Sequence, residues 1–142
     1  MEAKVLLVDD EKDFLETMSE RIRLRGMDVT TASSAKEALA FIESDFFDAV
    51  ILDFQLPEMD GMAVLKKIKA RHPEAQIILL TGHASLERGI EAMKFGASDF
   101  LEKPADMEAL SRKIKDAKAE KMLIVQKQQL DNVLDAFKKY GI

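Results

Sequence analysis

Short apolar runs alternating with longer amphipathic stretches are the feature of this 142-residue sequence that most restricts its fold. Each run has the residue types of a buried strand, and each is followed by apolar positions at helical spacing. This alternation is typical of a parallel α/β sheet, because a helix must return the chain between parallel strands. The predicted strands are Lys4 to Val8, Asp28 to Ala32, Asp48 to Asp53, Gln76 to Leu80 and Ser98 to Glu102.

The composition of each run predicts its position in the sheet. VLLV, AVILD and IILL are continuously apolar, as expected of strands covered by helices on both faces, whereas DVTTA is more polar and suits an edge. Residues that commonly start or end helices stand between the runs. They are the capping-box pair Ser34 and Glu37, the predicted helix ends Gly26 and Gly96, and the predicted N-cap Asp106.

Composition excludes several classes of function. The chain has no cysteine and only two histidines, so disulfides, thiolate metal sites and a typical zinc site are excluded. A net charge of −5 argues against nucleic-acid binding by the bulk surface. No apolar run approaches the roughly 18 residues of a membrane-spanning helix. We therefore predict a cytoplasmic protein that contacts neither membrane nor nucleic acid directly.

Polar side chains stand where four of the predicted strands end. Asp9 and Asp10 follow the first strand, Asp53 ends the third, Thr81 follows the fourth and Lys103 follows the fifth. The carboxyl ends of parallel strands share one edge of a sheet, so these side chains are expected to converge. Any one of them alone would more often be a turn or capping residue, and the argument depends on the combination.

The chemistry of that combination favours phosphoryl transfer. Three neighbouring carboxylates repel one another unless a cation is present, and a hard divalent ion such as Mg²⁺ prefers oxygen ligands. Lys103 adds a fixed positive charge and Thr81 a hydroxyl donor. With Asp53 as the nucleophile, such a set can neutralise the charge on a transferring phosphoryl group.

Four motifs, LLVDDE, DFQLPEMDG, LLTGHA and FLEKPAD, give the chain a family resemblance. In order and spacing they resemble the receiver domain of two-component response regulators, over about 115 of the 142 residues. This flavodoxin-like family includes the small chemotaxis regulator. The resemblance implies a doubly wound, five-stranded parallel sheet in the order 2-1-3-4-5. It also implies a phosphorylation-controlled signalling protein rather than a conventional enzyme, one that catalyses only its own aspartyl phosphorylation and dephosphorylation.

The resemblance also implies roles for the site residues. Asp53 would accept a phosphoryl group from a sensor histidine kinase or phosphotransfer protein. Asp9 and Asp10 would hold Mg²⁺ with Asp53 and the backbone carbonyl of Gln55. Thr81 would donate a hydrogen bond to a phosphoryl oxygen, and Lys103 would pair with it.

Further positions match the family's switch and its rate control. Thr81 and Phe100 would move together on phosphorylation, and Pro104 would follow Lys103 through a cis bond. Gln55 and His83 would flank the hydrolytic water and tune the lifetime of the acyl phosphate. The output surface would be the face of the fourth helix, fifth strand and fifth helix, which would bind a downstream protein.

Other functions stay open from the sequence. The chain is predicted to be a phosphorylation-controlled binding module or a phosphorelay intermediate. It is alternatively the regulatory fragment of a longer DNA-binding response regulator, or a receiver that binds partners without phosphorylation. A Mg²⁺-dependent phosphohydrolase is a rival from another class. The haloacid-dehalogenase type, however, has a second aspartate where Gln55 stands.

The last part of the chain is predicted to be separate from the receiver. We assign residues 1–118 to the phosphoacceptor domain and 119–142 to an amphipathic helical tail. Leu123, Leu130 and Phe137 recur every seven residues, and Val133 and Tyr140 each follow by three. Such a helix would pack on its own domain, dimerise the protein or lead into a linker.

Overall fold

Strands and helices alternate throughout the computed structural model, which describes residues 2–54, 60–82 and 86–141. The strands are β1 (Lys4–Val8), β2 (Asp28–Ala32), β3 (Ala49–Asp53), β4 (Ile77–Thr81) and β5 (Asp99–Glu102). The helices are α1 (Lys12–Leu24), α2 (Ala35–Ser44), α3 (Gly61–Arg71), α4 (Leu86–Lys94) and α5 (Met107–Tyr140).

All strand pairs are parallel, and the sheet has the order β2-β1-β3-β4-β5. The predicted fold class and strand order are therefore confirmed. Every residue of β3 and β4 is buried, as their continuous apolar runs predict, and the more polar β2 lies at an edge. Thr81, predicted to follow β4, is its last residue.

Two hydrophobic clusters lie on opposite faces of the sheet. Leu6 belongs to one cluster and its neighbour Leu7 to the other, because successive side chains of a strand point to opposite faces. Ile68 of α3 packs in the first cluster, and Ile22 of α1 and Ile114 of α5 pack in the second. Because helices cover both faces, a central strand must be apolar at every position.

The predicted helix ends are also found. The Ser34 hydroxyl accepts a hydrogen bond from the Glu37 backbone N–H, and the Asp106 carboxylate accepts one from Glu108. Gly26 and Gly96 have φ angles of +82° and +103°, which side chains with a Cβ rarely adopt. These residues end α1 and α4 and turn the chain towards β2 and β5.

Helix α5 extends well beyond the sheet. It has 34 residues and continues without a break through the domain boundary predicted after residue 118. Leu110, Ile114 and Ala117 are buried, whereas every side chain from Gln126 to Gly141 is exposed. The start of the tail therefore still contacts its own domain, where Lys121 donates to the Phe47 carbonyl oxygen, and the tail from Gln126 onward lies away from it.

Candidate functional site

Three carboxylates converge at the carboxyl edge of the sheet, as the sequence predicts. Asp9 directly follows β1 and is fully buried, Asp53 ends β3 and is 8% exposed, and Asp10 is exposed. Each of the three offers an oxygen, and these oxygens all lie within 4.8 Å of one another. The strands fix Asp9 and Asp53, because β1 and β3 are neighbours in register up to Val8 and Leu52.

Lys103 brings a positive charge to this cluster from the end of β5. Its Nζ donates to Asp9 Oδ2 at 2.9 Å and lies 3.6 Å from Asp53 Oδ2. The backbone N–H of Lys103 donates to the Thr81 carbonyl oxygen, which anchors the residue to β4. Burial alone lowers the pKa of Lys103. The hydrogen bond to Asp9 and the charges of Asp53, Asp9 and Glu11 outweigh burial and raise that pKa above its ordinary value.

Phe14 is a site residue that the sequence analysis missed. The Lys103 ammonium lies 4.5 Å from the centroid of the Phe14 ring, within the range of a cation–π contact. Phe14 is partly buried against the second hydrophobic cluster, in the first turns of α1. Its helical spacing explains it equally well as a core residue, so the sequence held no signal for the contact with Lys103.

Glu11 was also missed. Its backbone N–H donates to Asp9 Oδ1 at 3.0 Å, while Asp9 Oδ2 accepts from Lys103. Both carboxylate oxygens of the buried Asp9 therefore have a donor. Glu11 is also the N-cap residue of α1, so the start of this helix fixes the orientation of Asp9.

Thr81, Phe100 and Pro104 lie on the adjoining strands β4 and β5 and the turn after them. Thr81 is fully buried, and its hydroxyl donates to the Leu101 carbonyl oxygen at 3.4 Å. Phe100 is partly buried against the first hydrophobic cluster. Gly89 of α4 lies beside both, since a Cβ there would be 3.4 Å from the Phe100 ring and 3.6 Å from Thr81. The Lys103–Pro104 bond is cis.

Phe54, the residue after Asp53, packs closely against the start of α3. A Cβ on Gly61 would collide with the carbonyl oxygen and ring of Phe54, so no other residue fits there without a shift. The Gly61 N–H donates to that same carbonyl oxygen at 2.8 Å. Arg88 of α4 pairs with Asp60 and lies 4.8 Å from the centre of the Phe54 ring. Gln55 and His83, the predicted rate-tuning residues, lie outside the described residues.

The donor set fits a hard divalent ion. Magnesium is commonly held by one or two carboxylates and keeps several waters, and this cluster offers three carboxylates with one open to solvent. The cluster also lies beside a fixed ammonium group, so an anionic ligand would meet positive charge from Lys103. The edge of the sheet thus combines metal-ligand chemistry with anion recognition.

Comparison with known proteins identifies the family. Residues 5–115 match the response regulator receiver domain. The chain belongs to the response regulator receiver family. Receiver domains are regulatory rather than conventional enzymes, generally bind Mg²⁺, and interact with histidine kinases or phosphotransfer proteins. This membership confirms the resemblance on which the sequence analysis relied.

Individual relatives support this family assignment. The chain is 35% identical over 132 residues to DctD, a C4-dicarboxylate transport transcriptional regulatory protein of Rhizobium meliloti, covering 93% of this chain and 29% of that protein. A receiver-domain crystal structure from Clostridium thermocellum has a TM-score of 0.82 and 40% identity, with 86% of this chain and 98% of that chain covered. A crystal structure of NtrX from Brucella abortus has a TM-score of 0.85 and 33% identity, with 92% of this chain and 30% of that chain covered.

These relatives bear on the predicted partners. The chain spans about a quarter of the length of the curated relatives it matches, several of which are named transcriptional regulatory proteins. The expectation of no direct nucleic-acid binding therefore stays a prediction. Among the described residues, no helix combines the length and the apolar character that crossing a membrane requires.

Proposed function

We propose that Asp53 accepts a phosphoryl group from the phosphohistidine of a sensor kinase or phosphotransfer protein, and that Asp9 and Asp10 support this reaction with Mg²⁺. One observation carries the proposal. Three carboxylate oxygens lie within 4.8 Å of one another, and the Lys103 ammonium lies 3.6 Å from Asp53. Asp53 is largely buried at the end of a central strand, which holds a nucleophile rigidly.

The transfer exchanges one bond to phosphorus for another. A carboxylate oxygen of Asp53 attacks the phosphorus, a P–O bond forms, and the P–N bond to the donor imidazole breaks with its electron pair leaving on nitrogen. Lys103 stabilises the charge on the phosphoryl oxygens in this geometry. Asp9, Asp10 and Asp53, with the backbone carbonyl of Gln55, would hold Mg²⁺, which would supply further charge neutralisation. Gln55 and His83 would set how fast water removes the group.

The proposed switch moves the Thr81 hydroxyl from its present partner to the phosphoryl group. At 3.4 Å the hydrogen bond from the Thr81 hydroxyl to the Leu101 carbonyl oxygen is long and therefore weak, so breaking it costs little free energy. Phe100 lies next to Thr81 across Gly89 and would follow it. Phosphorylation thereby changes the surface formed by α4, β5 and α5, and this surface binds a downstream protein.

The output of this switch has two forms in the proposal. The first is a receiver that acts as a binding module or relay intermediate. The second is the regulatory part of a longer DNA-binding response regulator, and the transcriptional regulators among the relatives favour it. A conventional phosphohydrolase is the less favoured alternative, because family membership points to regulation.

Phosphorylation by a small donor tests the proposal. Phosphoramidate carries the same P–N bond as phosphohistidine, and with Mg²⁺ it should add the mass of one phosphoryl group to the intact protein. Chelation of Mg²⁺ with EDTA, or the substitution Asp53→Asn, should abolish the addition. Asp28→Asn, an exposed aspartate at the start of the edge strand β2, is the matched control and should keep it. Undiminished labelling of Asp53→Asn would refute the assignment.

A further inference from the structure

An apolar groove lies between α2 and α3. Its walls are Leu39 and Ile42 of α2 and Ile68 and Ala70 of α3, and it has a volume of about 290 Å³. Leu39 and Ile42 are partly buried against the first hydrophobic cluster, and Ala70 is exposed. Small-molecule sites are typically about 300–1,000 Å³, so this groove suits a side chain or two of a partner protein better than a free metabolite.

Helix α3 is basic, although the chain as a whole is acidic. It carries Lys66, Lys67, Lys69 and Arg71 and no Asp or Glu, so removing its four charges from the total of −5 leaves −9 on the other residues. Lys66 Nζ lies 4.2 Å from the centre of the Phe95 ring, on the side towards α4. Lys69 Nζ donates to two backbone carbonyl oxygens in the turn after α3. Lys67 and Arg71 line the groove.

The rim of the groove has positive charge available to a partner. Lys67 is exposed, and its ammonium has no ion pair with any residue that the structure describes. Arg71 Nη1 lies 3.3 Å from Glu43 Oε1, and His72 Nε2 lies 3.4 Å from the same oxygen. The carboxylate in the groove lining is therefore already paired within the chain. The Arg71 side chain is 71% exposed, so its guanidinium can still accept a second carboxylate.

Two other kinds of anionic surface fit this groove less well. A bilayer surface takes up apolar side chains that protrude, whereas α2 and α3, which the structure describes at every residue, have no exposed large apolar side chain. The phosphate backbone of a nucleic acid has no apolar group to fill the groove, and a net charge of −5 repels a polyanion. An acidic protein segment with an apolar side chain matches both the groove and its rim.

We propose that the groove between α2 and α3 binds an acidic segment of a partner protein. One apolar side chain of the segment would lie between Leu39 and Ala70, and its carboxylates would pair with Lys67 and Arg71. Beyond Arg71 the surface becomes acidic, since Glu74 follows next to His72. The acidic residues of the segment should therefore lie towards the Lys67 end of the groove.

This binding is separate from the function proposed above. Helix α3 stands between the groove and α4, so the groove lies outside the proposed output surface of α4, β5 and α5. The segment should therefore bind without phosphorylation. A contact based on one small groove buries little area, so the complex should be weak and transient.

Selection from a random-peptide display library on the immobilised full chain, without a phosphodonor, tests what the groove binds. The enriched peptides should combine Asp or Glu with Leu, Ile, Met or Phe. Ala70→Phe fills the groove from an exposed position, so it should keep the circular dichroism of the wild type and bind these peptides about tenfold more weakly or worse. Enrichment of basic peptides, equal binding to Ala70→Phe, or no enrichment at all would overturn the proposal.

Charge reversal tests the rim with the same peptides, measured by fluorescence anisotropy at about 0.15 M salt. Lys67→Glu should weaken binding by at least roughly threefold, because a paired charge becomes a repulsive one. Arg21→Glu is the matched control. It makes the same change in charge at an exposed position of α1, across the sheet, where salt screens its effect. Equal losses in the two variants would show that only the net charge matters and would overturn the proposed site.

Two further measurements distinguish a protein segment from other occupants of the groove. One is co-sedimentation with vesicles of phosphatidylserine and phosphatidylcholine, and the other is sedimentation velocity of the chain alone. The expected result is that Lys67→Glu changes neither. Vesicle binding that is lost in Lys67→Glu would assign this surface to a membrane, and self-association that is lost in Lys67→Glu would assign it to a second copy of the chain. Either outcome would overturn the proposal.

Discussion

At the scale of single residues, the proposed chemistry depends on where one ammonium group is held. Lys103 Nζ lies 2.9 Å from Asp9, 3.6 Å from Asp53 and 4.5 Å from the Phe14 ring centre. Asp9 directly follows β1, Asp53 ends β3 and Phe14 lies in α1, so the position of the charge depends on three separate elements. Only the two carboxylates were foreseeable from sequence. The Phe14 contact arises from side-chain packing between distant residues, which a helical pattern does not encode.

Replacing Phe14 tests whether its ring positions Lys103. Phe14→Leu keeps an apolar side chain but removes the ring face, and a cation–π contact is worth about 0.5–1 kcal/mol at an exposed site. If that energy holds the ammonium in place for transfer, the labelling rate should fall by roughly two- to fivefold. Phe14→Tyr keeps the ring face and should restore the rate. Labelling rates are measured by time-resolved intact-mass spectrometry. Equal rates for Phe14→Leu and wild type would show that the Phe14 ring does not position Lys103.

At the scale of elements, the start of α3 couples the helix to α4. The Asp60 carboxylate caps α3 by accepting from the Met62 N–H at 3.1 Å, and it pairs with Arg88. Burial raises the pKa of Asp60, but the Met62 N–H and Arg88 outweigh it and lower that pKa. A lowered folded-state pKa stabilises the fold above the unfolded pKa of about 3.9. This stabilisation is lost as the pH falls through the folded-state pKa.

Two substitutions separate the cap from the charge. Asp60→Ala removes both the cap and the ion pair and should lower the free energy of unfolding at pH 7 by about 1–2 kcal/mol. Asp60→Asn keeps a capping oxygen, so it should cost only the exposed ion pair, about 0.2–1 kcal/mol. The gap between wild type and Asp60→Asn should close once the pH is below the folded-state pKa. Urea unfolding followed by far-ultraviolet circular dichroism measures the free energy of unfolding of the wild type and both variants. A difference between wild type and Asp60→Asn that stays unchanged in strong acid would contradict the lowered pKa of Asp60.

How far the sequence predicts each element depends on whether its signal is local. The strands follow from continuous apolar runs, and the helix ends at Gly26, Ser34 and Asp106 follow from local backbone and capping chemistry. The sequence predicts a boundary after residue 118 because the five β/α units are complete there. Helix α5 nevertheless continues, since no glycine or proline interrupts it between Met107 and Tyr140. The pairing of Arg88 with Asp60 joins distant elements and left no pattern in the sequence.

At the scale of the whole molecule, negative charge is concentrated at one edge of an acidic protein. The chain carries −5 in total, and three carboxylates share a few ångströms at the carboxyl edge of the sheet. Unfolding disperses those carboxylates, so a divalent ion should bind the folded state alone. Binding of that kind raises the free energy of unfolding.

Thermal unfolding with Mg²⁺ tests this linkage. At ten times its Kd, Mg²⁺ should add about 1.4 kcal/mol to the free energy of unfolding, or roughly 3–6 °C in Tm. Asp10→Asn should reduce the shift, because Asp10 is the exposed member of the cluster and can change without disturbing the core. Asp28→Asn should keep the full shift, and sodium chloride of equal ionic strength should not produce it. If Mg²⁺ raises the Tm of Asp10→Asn as much as that of the wild type, the metal binds elsewhere.

The central claim is that Asp53 is the residue that carries the phosphoryl group. A chemical mark on the modified carboxylate can locate that residue directly. Borohydride reduces an acyl phosphate to an alcohol and so marks the modified carboxylate permanently. After labelling with phosphoramidate and Mg²⁺, proteolysis and peptide mass spectrometry should locate the reduced side chain at Asp53, with Asp9 and Asp10 unmodified. Reduction at another aspartate, or at none while the intact protein still gains a phosphoryl group, would contradict the account.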